Sequence, residues 1–158
     1  MSFEVRPIGR VEGARDTPRD DYWGGQESRI VLDARFEAEA LQGLETFSHA
    51  EVLFLFDRVD PTKIVSGARH PRNNPDWPAV GIFAQRGKNR PNRIGSTICR
   101  ILGREGSTLR VAELDAIDGT PVLDIKPVMQ EFLPRGDVEQ PDWSRALMQA
   151  YWDREAPA

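Results

Sequence analysis

The chain holds a single cysteine, Cys99, and two histidines, His49 and His70, among 158 residues. One thiol excludes an internal disulfide, and these three side chains cannot supply a thiolate–imidazole zinc site. No metal is expected. No apolar run reaches membrane-spanning length, and the N-terminus, MSFEVRPIGR, lacks the apolar core of a secretion signal. A reducing cytoplasm is the expected setting. GxxxxGK[ST] is absent, and no GxGxxG follows a strand, which argues against P-loop and Rossmann nucleotide sites.

The composition, 39% hydrophobic and 29% charged, is that of a soluble globular protein, and the length suits one domain with a real core. The net charge of −4 is unevenly spread. Ser66 to Arg104 carries eight Lys/Arg against one acid, Asp76, so the remainder stands near −11 out of 21 bases and 25 acids. Such a basic island steers a polyanion to one face, although a merely solvated cationic loop gives the same charge count.

Most of the chain reads as short strands: 4–13, 28–33, EVLFLF at 51–56 (apolar enough for burial on both faces), VGIFAQR at 80–86 and PVLDI at 121–125. STICRILGREGSTLRVAEL at 96–114 is the clearest hairpin, turning at Arg104–Ser107 with Leu109, Val111 and Ala112 returning inwards. Helical signals are few: an amphipathic segment at 36–47 with Leu41 and Leu44 one turn apart, and 140–155, capped by Asp142 with Trp143, Leu147 and Tyr151 at four-residue spacing. The expected fold is mainly β, a small antiparallel β-barrel with a short internal helix and a C-terminal helix. Residues 1–135 would form the barrel domain and 136–158 a helical extension of it.

Three stretches carry candidate chemistry. GIFAQRGKNRPNRIG, 81–95, sets Arg86, Lys88, Arg90 and Arg93 within eight residues, among Asn89, Pro91 and Asn92. Arginines on a stiffened loop suit bidentate capture of phosphate or carboxylate. RHPRNNP at 69–75, with Arg69 and Arg72, repeats the texture. LDAIDGTPVLDIKP, 114–127, spaces Asp115, Asp118 and Asp124 over a strand end, a turn and a strand. Asp118-Gly119 reads as a turn and Asp124 as an ion partner of Lys126, whereas Asp115 is placed to receive a ligand hydroxyl or amine. TPRDDYWGGQES, 17–28, offers Tyr22 and Trp23 either to stack a base or to pack on the barrel. Ser48-His49 reads as a structural pair beside an apolar strand.

In order along the chain, GLETFSHAEVLFLF, GIFAQRGKNRPNRIG and LDAIDGTPVLDIKP closely resemble the TsaA-like (YaeB/TrmO-type) family. Its usual forms are GLExFSHxWxLFxF, GVFATRSxxRPNPIG and LDxxDGTPVxDIKP. The agreement runs from about Ile8 to Pro127. The resemblance implies a homodimeric β-barrel that binds S-adenosylmethionine. It implies methylation of the exocyclic nitrogen of threonylcarbamoyladenosine beside the tRNA anticodon. By motif position it implies cofactor contacts at Arg86, Ser96, the Ala112–Glu113–Leu114–Asp115 strand end, Asp57 and Arg58, with Asp21, Tyr22 and Trp23 at the place of the family's PRQPGL loop. Arg69, Arg72, Lys88, Arg90 and Arg93 would then face tRNA phosphate.

Methyl transfer from a sulfonium asks chiefly for alignment, so the shortage of Cys and His is no obstacle. The residues name no proton acceptor beyond two guesses, Asp118 and His49. The sequence departs from the family pattern at Arg93, where proline is usual, and at Gln85, where threonine is usual. Only a helix is expected after Pro127, where longer members carry a further domain, so the cofactor is the firmer expectation and the acceptor is open to another substrate. Two other readings remain: a non-catalytic sensor binding S-adenosylmethionine or a nucleotide, and plain RNA binding through the basic island.

Overall fold

Alternation along each strand decides which side chains fill the interior. In the computed structural model, which describes residues 1–155, β3 (His49–Leu55) buries Ala50, Val52 and Phe54. Its His49, Glu51, Leu53 and Leu55 take the outer face, half covered, so this strand is not buried on both faces as its apolar density suggested. β1 (Gly9–Glu12) points Val11 inwards and β2 (Glu27–Leu32) points Ser28, Ile30 and Leu32 inwards. The long hairpin is present as β6 (Ile94–Glu105) and β7 (Thr108–Ala112), and β8 (Pro121–Pro127) follows. These six strands close an antiparallel barrel in the order β1-β2-β7-β6-β3-β8, with Gly9↔Val122 and Arg10↔Pro121 joining the last strand to the first. β4 (Ala68–Arg69) and β5 (Val80–Gly81) pair separately.

Several sequence expectations need correction. The first strand begins at Gly9, not residue 4. VGIFAQR stops being a strand after Gly81, because Ile82–Ala84 winds into a 3-10 turn that buries Ile82 and exposes Phe83. The 36–47 segment is two 3-10 turns, Ala38–Leu41 and Leu44–Thr46, separated at Gly43, whose φ of 95° a helix does not accept. The C-terminal helix α1 is only Asp142–Leu147, and Asp142 is its first residue rather than its cap, with no side-chain cap bond. Residues 156–158 of the expected extension lie outside the described residues.

The antiparallel pairing of every neighbour sorts the connections by end. β1–β2 (residues 13–26), β3–β6 (56–93) and β7–β8 (113–120) all open at one end of the barrel. His49 begins β3 at the other end, about 20 Å away at the usual rise per residue. Cys99 is buried in the core, and burial pushes its thiol up to about 12, so it stays protonated. Among the described residues no helix is long and apolar enough to cross a membrane, and no group of His, Cys, Asp and Glu is placed to hold a metal ion.

Candidate functional site

The hairpin does not zip to its open end. β7 pairs with β6 only as far as Arg100↔Ala112, while β6 continues along β3 to Leu55↔Ile94. The chain leaves the ladder at Glu113, which takes a left-handed φ of 67° although it is not glycine. Its amide donates to the Gln26 carbonyl at 2.7 Å and its carboxylate accepts from the Gly25 amide at 3.1 Å. Continuing the register would set Asp115 opposite Thr97. Their side chains do meet: the Thr97 hydroxyl donates to Asp115 Oδ1. Where backbone pairing ends, side chains hold the seam.

Arg86 reaches the same stretch of β6, donating from Nη2 to the Ser96 carbonyl at 2.5 Å. The Ser96 hydroxyl donates to Glu51 at 2.9 Å. The second oxygen of Asp115 accepts from the Tyr151 hydroxyl. Leu114 lies in the core, whereas Ala112, expected to face inwards, sits on the strand face opposite Val111 beside Glu27 and Arg100 and is covered there to 1% exposure, so only their backbone is available to a ligand.

The 13–26 connection is pinned from several sides. Arg72 grips Asp21 with two bonds, Nη1–Oδ2 at 3.1 Å and Nη2–Oδ1 at 2.9 Å. Arg15 lies 3.8 Å over the Trp23 ring and donates to the Asp21 and Tyr22 carbonyls. Trp23 is 4% exposed, whereas Tyr22 is partly open with a φ of 68°. Of the aromatic pair, Trp23 therefore packs and Tyr22 is the ring a ligand can reach. Arg58 clips the three connections together through the Asp118 carbonyl at 3.0 Å and the Asp16 carbonyl at 3.2 Å. Asp57 follows β3 exposed. Asp118 accepts from the Gly13 amide at 2.8 Å, which makes it a turn anchor.

The basic connection is shaped rather than loose. Its organiser is Gln85, 7% exposed, whose amide donates to the carbonyls of Arg69 at 3.1 Å and Val80 at 3.0 Å. Arg90 donates to the Gln85 carbonyl at 2.6 Å, and Arg69 Nε approaches the Gln85 side-chain oxygen at 3.4 Å. The repeated texture is a repeated turn. In Pro71–Asn73 the two residues after proline have φ of 51° and 56°, and in Pro91–Arg93 they have 63° and 53°. Each turn closes on the residue before proline, Asn73 N to His70 O at 3.0 Å and Arg93 N to Arg90 O at 3.1 Å. A proline at 93, the family's usual residue, is confined near φ −65° and could not adopt this conformation. Among the described residues, Arg72 is the one cation of this connection with an acidic partner; Arg69, Arg86, Lys88, Arg90 and Arg93 have none within salt-bridge distance.

Sequence reasoning thus located Asp21, Tyr22, Arg58, Arg86, Ser96 and Asp115 at one end. It missed Gln85 as a hub, Thr97, Arg15, the exposed Phe83 (76%) beside the cations, and Tyr151. It also left His49 open as a proton acceptor, and its position at the far end removes it. Two clefts of about 180 and 230 Å3, lined by Glu12, Arg29 and Arg110 and by Pro7, Arg10 and Asp33, include none of Arg86, Thr97, Asp115 and Tyr151 in their walls. Both are smaller than the roughly 300 Å3 at which ordinary small-molecule sites begin.

A closed six-stranded antiparallel barrel, with three connections gathered over an unzipped seam and cations left without acids among the described residues, defines a small β-barrel protein with a cationic end. The chain belongs to the family described as tRNA-methyltransferase O N-terminal domain, which residues 11–132 match. It is 38% identical over 137 residues to a tRNA (adenine(37)-N6)-methyltransferase of Rattus norvegicus, covering 81% of this chain and 31% of that one. A Pyrococcus abyssi protein named "Probable S-adenosyl-L-methionine-binding protein" is 37% identical over 139 residues, covering 84% and 72%. The crystal structure of TrmO from Pseudomonas aeruginosa superposes with a TM-score of 0.69 at 32% identity, covering 88% of this chain and 62% of that one. The chain spans only 39% and 34% of the length of two further curated relatives, from Pseudomonas aeruginosa and Archaeoglobus fulgidus.

Proposed function

We infer that the chain is an S-adenosylmethionine-dependent methyltransferase acting on tRNA, N-methylating the threonylcarbamoyladenosine beside the anticodon. The observation that carries this reading is the pairing, at one seam, of an acid-free cation cluster with the carboxylate of Asp115. The donor set suits the cofactor. Arg86 matches a carboxylate, Asp115 an ammonium or hydroxyl, and Tyr22 offers a reachable ring for a base, while Trp23, covered by Arg15, serves as its support. The cofactor supplies the activated methyl group. The protein's part is alignment of the acceptor nitrogen, which by itself lowers barriers by about 7–11 kcal/mol. An anticodon-loop adenosine is already unpaired, which suits an open site at a barrel end.

Lys88 and Arg93 fit the backbone of the RNA, and Phe83, exposed on the turn that leads into the basic stretch, presents an apolar ring on which an unpaired base can stack. Arg90 is partly engaged with Gln85, so its removal would loosen the loop as well as subtract charge. The double variant Lys88→Ala/Arg93→Ala is expected to lower tRNA affinity and to flatten its salt dependence by about two counterions, leaving cofactor affinity unchanged. Binding isotherms between 50 and 200 mM salt check this, and an unchanged slope would place the RNA elsewhere.

The homodimer implied by the resemblance is supported by the outer face of β6, where Ile94 and Ile98 are exposed beside Leu53 and Leu55. Sedimentation at twice the monomer mass is the expected result. The function itself is tested by calorimetric titration with S-adenosylmethionine, followed by methyl transfer to tRNA from cells lacking the modification. Heat without transfer would favour the sensor reading, which one observation supports: His49 lies at the far end of the barrel, and Asp118 anchors a turn through the Gly13 amide. No heat at high micromolar ligand would sink both.

A further inference from the structure

After β8 the chain is at the barrel end opposite the seam, yet its C-terminus returns to the seam. Residues 130–142 run along the surface, and 148–155 then lie along the 13–26 connection. The amides of Tyr22, Trp23 and Gly24 donate to the carbonyls of Ala150, Tyr151 and Asp153 at 3.1, 2.8 and 3.2 Å. Gly24 leaves no room for a side chain, since a Cβ there would collide with the Trp152 carbonyl, and Arg19 pairs with Glu155. This strap carries the Tyr151 hydroxyl to Asp115, so both carboxylate oxygens are held, one by Thr97 and one by Tyr151.

The geometry points to Tyr151 as a positioning residue: the C-terminal strap forms one wall of the site, and the Tyr151 hydroxyl, together with Thr97, fixes the direction in which Asp115 meets the cofactor. This rests on the reading that Asp115 contacts S-adenosylmethionine. A carboxylate that has lost half of its neighbouring ladder would otherwise be free to rotate about its own side chain. Two donors on opposite oxygens fix its plane and leave lone pairs for one more donor, a ligand hydroxyl or ammonium. Burial and the charge of Asp115 both push the Tyr151 phenol up, so it remains a donor throughout the physiological range, although Arg86 and Arg72 pull the other way. The strap is formed by residues 148–155, so this wall of the site belongs to the same chain as the barrel.

The test uses the full chain in four forms, wild type, Tyr151→Phe, Asp115→Asn and the double variant, titrated calorimetrically with S-adenosylmethionine and melted in parallel. Tyr151→Phe is expected to raise Kd about 3- to 10-fold, the range of one hydrogen bond, with the melting of the barrel unchanged. In turnover the loss should fall on KM for the cofactor and not on kcat. Added to Asp115→Asn, the tyrosine change should do nothing further, because its partner is already altered. Gly24→Ala, which displaces the strap without touching Tyr151 or Asp115, should reproduce the loss. If Asp115→Asn binds like wild type, the assignment of Asp115 to the cofactor fails, and the inference with it. If Asp115→Asn weakens binding but Tyr151→Phe does not, or if the two losses simply add, the assignment of Asp115 stands and the role given to Tyr151 is wrong.

Discussion

Arg86→Ala is expected to lower affinity for S-adenosylmethionine by roughly 10- to 100-fold, as for loss of hydrogen bonds to a charged group. Arg86 has no acidic partner among the described residues and spends one donor on the Ser96 carbonyl. A guanidinium carries five donors, so most of its capacity faces outwards. That combination of a fixed side chain with unspent charge is what a carboxylate-bearing ligand requires. Arg86→Lys keeps the charge and loses the planar fork, so it should fall between the two. Isothermal titration alongside thermal melting separates the roles. A lowered melting temperature with unchanged Kd would mean that Arg86 serves only to hold β6.

Phe54→Ala is expected to destabilise the barrel by about 3–5 kcal/mol, the usual range for emptying a buried phenyl site. At this chain length that is a fall in Tm of roughly 10 °C. Phe54 is 2% exposed, meets Phe56 edge to face at 5.4 Å, and lies over Gly95. A Cβ on Gly95 would fall 2.5 Å from the Phe54 ring, so glycine at the close of the RPNRIG stretch is a packing requirement of β6 against β3. The core member and the basic loop are thus coupled through one contact. Differential scanning calorimetry checks the prediction, and a shift of under 2 °C would contradict this packing.

The parts legible in the sequence were those fixed by neighbours in the chain. The 94–112 hairpin announced itself because Glu105-Gly106-Ser107 turns locally and the arms alternate. The ordered motifs put Arg86, Ser96 and Asp115 together although composition alone could not. Gly43 ended the expected helix because one residue outweighed the apolar spacing around it. GIFAQR misled because Ile82 and Phe83 look alike to an alternation rule, yet one is buried and the other projects from a turn. Glu113 carried no warning, since a left-handed glutamate is held by the Gln26 carbonyl and Gly25 amide, which belong to another connection. Tyr151 read as one step in a helical stripe because its partner lies 36 residues away. Thr97 was hidden by a bulge: the register counted from the Glu105↔Thr108 turn sets Asp115 opposite Ile98, and the one-residue shift between Ile101 and Gly103 brings Thr97 there instead.

Most barrels are closed by backbone pairs that a ligand cannot compete for. Here the open end of the β6–β7 seam is finished between Thr97 and Asp115 by a clasp of side chains, and a molecule that engages Asp115 is gripping the clasp itself. Occupancy and wall integrity then become a single equilibrium, because whatever binds only the folded form raises its stability in proportion to saturation. The chain's own resistance to heat becomes a gauge of whether the seam is filled.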